Sequence, residues 1–219
     1  MEHLASSFLG LGNGATYALL ALALVLTYRS SGVLNFATGA QALYGAYTYA
    51  FLREGELFNI IPGVPKTVDF GGPMHWIPAL LIACVISALL GAVLYALVFR
   101  PMRHAPALAK AVASLGVLVV LQSLVSQRMG SLPVIVSAIY PSKPWSWQGQ
   151  TVLSDRIYLA LTVVVLTLVI TALYRWTRFG LDTRATAESE TGAYVSGLSP
   201  DRIALLNWML AGTVAGVAG

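Results

Sequence analysis

The sequence predicts an all-α fold, a polytopic bundle of transmembrane helices, and three observations carry that reading. Of 219 residues, 57% are apolar and only 10% are charged. A soluble domain carries about a quarter charged residues, so this chain cannot cover a water-facing surface. The mean hydropathy of +0.74 comes with twenty glycines, a pairing that suits closely packed helices in lipid. Charge-free apolar runs also recur at about the 20 residues that a bilayer core of roughly 30 Å demands. A single cysteine and the absence of any triplet repeat exclude disulfide-stapled and collagen-like classes.

The runs lie at Leu4–Tyr28, Ser30–Leu52, Met74–Phe99, Ala111–Gln127 and Ile157–Tyr174, and a sixth starts at Ile203. The reading is five complete spans and a truncated sixth, because the last run offers only roughly 25 Å of helix before Gly219. Residues 1–219 then form one transmembrane domain that is incomplete at its C-terminus. The first run is not a secretory signal. It is too long for one, and Met1-Glu-His-Leu4 supplies no Lys or Arg for a basic leader.

Alternate loops divide the cations unequally. Arg29, Arg100, Arg103, Lys110, Arg175, Arg178, Arg184 and Arg202 fall on one side, and Arg53, Lys66, Arg128, Lys143 and Arg156 on the other. The first set holds the clusters beside span ends, so the positive-inside rule sets the N-terminus outside. Trp76, Trp145 and Trp147 then occupy outer loops, where they serve as interfacial anchors. The net charge of +4 is membrane topology, with no implication of nucleic acid.

Several chemistries are missing. No Asp or Glu lies mid-span, which leaves no evident proton relay. None of the three lysines follows a glycine, so there is no phosphate-binding GxxxxGK[ST] loop. Gly10-Leu-Gly-Asn-Gly-Ala15 matches a dinucleotide fingerprint in letters alone, without the strand that must precede it. Gly10 and Gly14, and likewise Gly212 and Gly216, are read instead as close-packing pairs. No paired carboxylates, metal-spaced His/Cys set or nucleophile–base pair is evident, and His3, His75 and His104 are scattered. The chain has no catalytic residues, cofactor or metal ligands of its own; uphill transport would need energy from another subunit.

Two stretches are richer. Within Gly32–Tyr47, Asn35, Thr38, Gly39 and Gln41 put polar and flexible positions into a span, with Asn35 and Thr38 on one helical face. Such a stretch either presents backbone and dipoles to a solute or supplies interhelical hydrogen bonds. Gln122 and Asn207 are lone polar residues read as packing glue, and Cys84 as an inert core residue. The polar loop 176–202 is predicted cytoplasmic, with a helix over Arg184–Ser196 capped by Asp182 or Thr183. Gly197 stops that helix, and Ser199-Pro200 opens the next. Ala187, Thr191, Tyr194 and Leu198 share a face that suits either docking into a partner's groove or a solvated linker.

These stretches carry a resemblance. Gly14–Arg29 followed by Ser30-Ser-Gly-Val-Leu-Asn-Phe-Ala37, then Arg100-Pro-Met-Arg103, Ala105-Pro106 and Ala113-Ser-Leu-Gly116, resemble the branched-chain amino acid permease family. Gly180-Leu-Asp-Thr-Arg-Ala185, Ala187-Glu188 and Gly197–Arg202 resemble its coupling segment. These permeases are membrane subunits of ATP-binding-cassette (ABC) importers in the bacterial plasma (inner) membrane. The resemblance implies a second permease, homologous or identical, two cytoplasmic ATPase subunits that bind the ATP, and an extracytoplasmic solute-binding protein. It also implies a solute path at Asn35, Thr38, Gly39 and Gln41, and ATPase coupling by Arg184, Ala187, Glu188, Thr191, Tyr194 and Gly197. Thr38, Gly39 and Ala40 replace the family's usual His or Gln followed by Gly-Glu, and Ser189 replaces an Asp. With these departures, the resemblance implies a branched-chain amino acid or a related small polar molecule as the solute. The alternative is an energy-independent channel or facilitator for a small polar solute such as urea or an amide. An intramembrane enzyme and a structural scaffold are more distant rivals.

Overall fold

The computed structural model describes residues 2–130, 139, 144–147 and 150–219, with side chains at 10–130, 139 and 154–219. Eight α-helices order it: α1 (Glu2–Ser31), α2 (Thr38–Glu54), α3 (Trp76–Leu94), α4 (Ala107–Met129), α5 (Ser154–Trp176), α6 (Arg178–Glu188), α7 (Glu190–Val195) and α8 (Pro200–Ala218). α3 runs on into a π-helical turn, Tyr95–Phe99. Among the described residues, four segments are long and apolar enough to cross a membrane: Gly10–Ser31, Trp76–Phe99, Ala107–Met129 and Ser154–Trp176. The all-α polytopic expectation holds at that level.

Among the described residues, two short antiparallel hairpins interrupt the helices, β1 (Glu56–Phe58) with β2 (Thr67–Asp69) and β3 (Pro144–Trp147) with β4 (Gln150–Leu153). Phe58 of the first is buried against Tyr44, Tyr47 and Phe51 of α2, its ring stacked on Phe51 at 5.3 Å. Trp76 is part-exposed at the start of α3, where His75 caps the Ile77 N–H. Lys143 and the side chains of Trp145 and Trp147 lie outside the described residues.

α8 forms the centre of the bundle, packed against α1, α2 and α3. Ala204, Trp208, Ala211 and Ala215 are among its buried residues. Small residues let the backbones meet: a Cβ on Gly45 of α2 would lie 2.6 Å from the Gly216 Cα. One on Gly212 would strike the Ser87 carbonyl of α3, and one on Gly91 the Trp208 carbonyl. The Gly212/Gly216 pair is thus a close-packing patch. Gly10 and Gly14 are not, since a Cβ on either meets nothing within 4 Å. It is Gly12 between them that faces a neighbour, the Arg156 Cγ at 3.3 Å. Cys84 is only half-buried.

The second predicted span, Ser30–Leu52, is not one helix: Ser30 and Ser31 end α1, and helix resumes only at Thr38. Gly32 takes φ +63° and ends α1, and its N–H caps the Tyr28 carbonyl at 2.8 Å. Residues 33–37 are unwound, so Asn35 and Thr38 do not share a helical face. The reason is local: a glycine free to go left-handed is followed by an Asn whose side chain competes for backbone N–H groups.

Candidate functional site

The break between α1 and α2 is braced by side-chain hydrogen bonds from its own residues and from α4. Asn35 is buried, and its Oδ1 accepts from the Ala37 N–H at 3.1 Å while its Nδ2 donates to Gln41 Oε1 at 3.3 Å. Thr38 Oγ1 donates to the Asn35 carbonyl at 2.6 Å. From α4, the buried Ser114 hydroxyl accepts from the Phe36 N–H at 3.3 Å and lies 3.0 Å from the Leu34 carbonyl. Backbone that leaves a helix inside a membrane needs such partners, because lipid offers none. Ser114 escaped the sequence reading as a site residue, although it lies in the Ala113-Ser-Leu-Gly116 motif.

Of the four path residues expected from sequence, the structure brings Asn35, Thr38 and Gln41 together as buried supports, and only Gly39 is exposed. The Gln41 Nε2 is buried with no partner among the described residues, as is the Ser87 Oγ.

The loop 176–202 is not one helix from Arg184 to Ser196. Thr177 caps α6, its Oγ1 accepting from the Gly180 N–H at 3.4 Å, and Ser189 caps α7 by accepting from the Gly192 N–H at 3.0 Å. Thr177 offers a cap upstream of Asp182, and the extended Ser189 ends α6 while starting α7. Thr183 is not a cap but a buried mid-helix tie: its Oγ1 accepts from Asn207 Nδ2 at 3.1 Å. Asn207 Oδ1 also accepts from the Tyr174 hydroxyl of α5. The lone asparagine is thus the interhelical glue expected of it, joining α5, α6 and α8. Gly197 adopts φ +80° and ends α7, and Pro200 opens α8, though Ser199 makes no side-chain cap.

Among the predicted coupling residues, Ala187, Glu188, Thr191 and Tyr194 are exposed. Arg184 folds back, donating to the Gly180 and Tyr174 carbonyls at 3.3 Å each. Sequence reading missed the charged knot beneath them. Asp201 at the start of α8 accepts from Arg100 and Arg103 at 3.3 Å each and from the Tyr95 hydroxyl at 3.4 Å. Arg103 also reaches Glu190 at 3.9 Å and the Tyr194 hydroxyl at 3.5 Å. The Tyr194 hydroxyl first, then Asp201, hold the Arg103 guanidinium further in its charged form. Tyr95 opens the π turn and Arg100 follows it directly. A cavity of about 490 Å³ opens here, lined by Arg29, Gly32, Arg103, Lys110, Glu190 and Asp201 among others.

The structure thus offers an exposed α6–α7 surface, a closely packed bundle centre and a braced helix break, and among the described residues no group of His, Cys, Asp and Glu could hold a metal ion. Comparison with known proteins identifies the family. Residues 6–219 match the family model described as the permease component of the branched-chain amino acid transport system. The chain is 30% identical over 210 residues to the probable branched-chain amino acid transport permease protein LivH of Methanocaldococcus jannaschii, covering 92% of this chain and 60% of that one. It is 26% identical over 218 residues to the high-affinity permease protein LivH of Escherichia coli, at 97% and 68% coverage. Against the permease protein BraD of Pseudomonas aeruginosa it is 23% identical over 213 residues, at 95% and 67%. This chain spans between 60% and 68% of the length of these relatives. No solved structure matches it significantly. The chain, a multi-pass inner-membrane protein, belongs to the branched-chain amino acid transport permease family.

Proposed function

We propose that this chain is a membrane-spanning permease subunit of an ABC importer for branched-chain amino acids or a related small polar solute. The names of its relatives support the solute class. In this reading residues 1–219 are one transmembrane domain with five spans at α1, α2, α3 with its π turn, α4 and α5, and α8 is the sixth. The N-terminus is outside, and 176–202 is the cytoplasmic coupling loop. The chain carries no ATPase site. Two separate ATPase subunits bind ATP, a second permease completes the path, and an extracytoplasmic solute-binding protein delivers the solute.

The observation that carries the proposal is the α6–α7 pair. It leaves Leu181, Tyr194 and Val195 exposed, the last at 86%, while Thr183–Asn207 and Arg103–Glu190 tie it to the bundle. A facilitator needs no such surface. Motion imposed on α7 by the ATPases would pass through Arg103 and Asp201 to the π turn and α8. The spans then rock about a central path whose backbone Asn35, Thr38 and Gln41 hold, with Gly39 at its surface. ATP-driven closure helps only if the ATPases bind the two permease states with different free energy.

Tyr194 also touches Arg103, so a carboxylate there would form a new ion pair. Val195 is the cleaner probe. Val195→Asp in the assembled importer is expected to keep the fold, lose the co-purifying ATPase and abolish ATP-dependent uptake. Solute flux that continues undiminished with no ATPase bound favours the facilitator instead.

A further inference from the structure

A helix that crosses a membrane against lipid keeps an apolar surface, since exposed amides and hydroxyls gain nothing from hydrocarbon. The first half of α4 obeys: its exposed residues include Leu108, Val112 and Leu115. The second half does not. Gln122, Ser123, Ser126 and Gln127 are all exposed, and spacings of four and five residues hold them to one face. Gln122 sits about 10 Å inside the Met129 end of the helix at 1.5 Å per residue, too deep for a headgroup layer alone to solvate it.

Across from this face, Gly39, Leu43 and Tyr47 form a seam along α2 at i, i+4 and i+8, starting one residue into the helix that follows the break. Leu43, Tyr47, Val119, Gln122, Ser123 and Ser126 line a groove of about 520 Å³ between α2 and α4. No residue lining it is charged. We infer that this groove is a solute-contacting subsite of the transport path, suited to a small solute of no net charge that combines hydrogen-bonding groups with an aliphatic part.

The chemistry follows from the side chains. One carboxamide and two hydroxyls each donate and accept, so together they can bond both a carboxylate and an ammonium, or an amide. Leu43 and Val119 face the aliphatic part. A net-charged solute would surrender hydration with no counter-ion in return. The inference rests on the permease reading and names surface that the buried Asn35, Thr38 and Gln41 do not supply.

The test uses the complete importer in proteoliposomes on a Cys84→Ser background, with single substitutions Ser123→Cys, Ser126→Cys and Val112→Cys. The probe is a membrane-impermeant methanethiosulfonate, which needs water at the thiol. Cysteines at 123 and 126 are expected to react at least about tenfold faster than one at 112, because only a hydrated thiol ionises readily. Leucine should slow them severalfold and lysine should not. Gln122→Leu, which lipid tolerates, should raise the leucine concentration for half-maximal uptake. Reaction as slow as at 112 in an importer that still takes up leucine means that the partner permease or lipid covers the groove, and overturns the inference. Fast reaction that leucine leaves unchanged, with uptake intact, overturns it too. Protection by leucine without any ATP-driven uptake would instead sink the importer reading and support the subsite.

Discussion

Asn35 and Gln41 are hydrogen-bonded across the start of α2, the Asn35 Nδ2 donating to Gln41 Oε1 at 3.3 Å with both side chains buried. The bond spans six residues and bridges unwound backbone to the first full turn of the helix. It makes the break a built feature of the chain.

Asn35→Leu removes that donor and also the acceptor of the Ala37 N–H. Each buried polar group left unpaired costs about 1–3 kcal/mol. The purified protein in detergent is expected to melt several degrees lower, followed by intrinsic tryptophan fluorescence. An unchanged midpoint would mean that the break does not depend on Asn35.

Glycine substitutions should split by position. Gly212→Ala forces a Cβ onto the Ser87 carbonyl, backbone that cannot turn aside, and strain of this kind costs about 1–3 kcal/mol. Gly14→Ala meets open space and removes helix-interior glycine entropy, a gain of about 0.5–1 kcal/mol. Thermal midpoints of the two variants should therefore move in opposite directions. A common direction would contradict the packing assigned to α3 and α8.

Asp201→Asn tests the charged knot. Its partners are substantially exposed, and exposed ion pairs add little stability. The thermal midpoint should scarcely move, while uptake per ATP hydrolysed falls in the complete importer, because α7 is less firmly joined to the π turn. Equal loss of stability and uptake would reduce the knot to a structural role.

The coupling loop illustrates how far local signals reach. Gly197 and Pro200 were readable because a left-handed stop and a helix-opening proline are properties of single residues. The division at Ser189 was not, since Thr177, Asp182, Thr183 and Ser189 can all cap and only competition among them decides. Thr183 went to the interior because Asn207, 24 residues on, needed an acceptor.

Composition and run length were sufficient for the membrane class and the order of the long apolar helices, because insertion into lipid depends on summed hydropathy and not on neighbours; the family resemblance rested on local motifs such as Arg100-Pro-Met-Arg103. Which face of each helix meets protein needed the packed chain. In water an apolar stripe marks the buried side, but in lipid both sides are apolar and the stripe disappears. Gly12 could not be told from Gly10 and Gly14, nor the exposed Gln122 from the buried Asn207, until α1, α4 and α8 had neighbours. The same holds for Asn35, whose place in a span looked helical until Gly32, Ser114 and Gln41 closed around it.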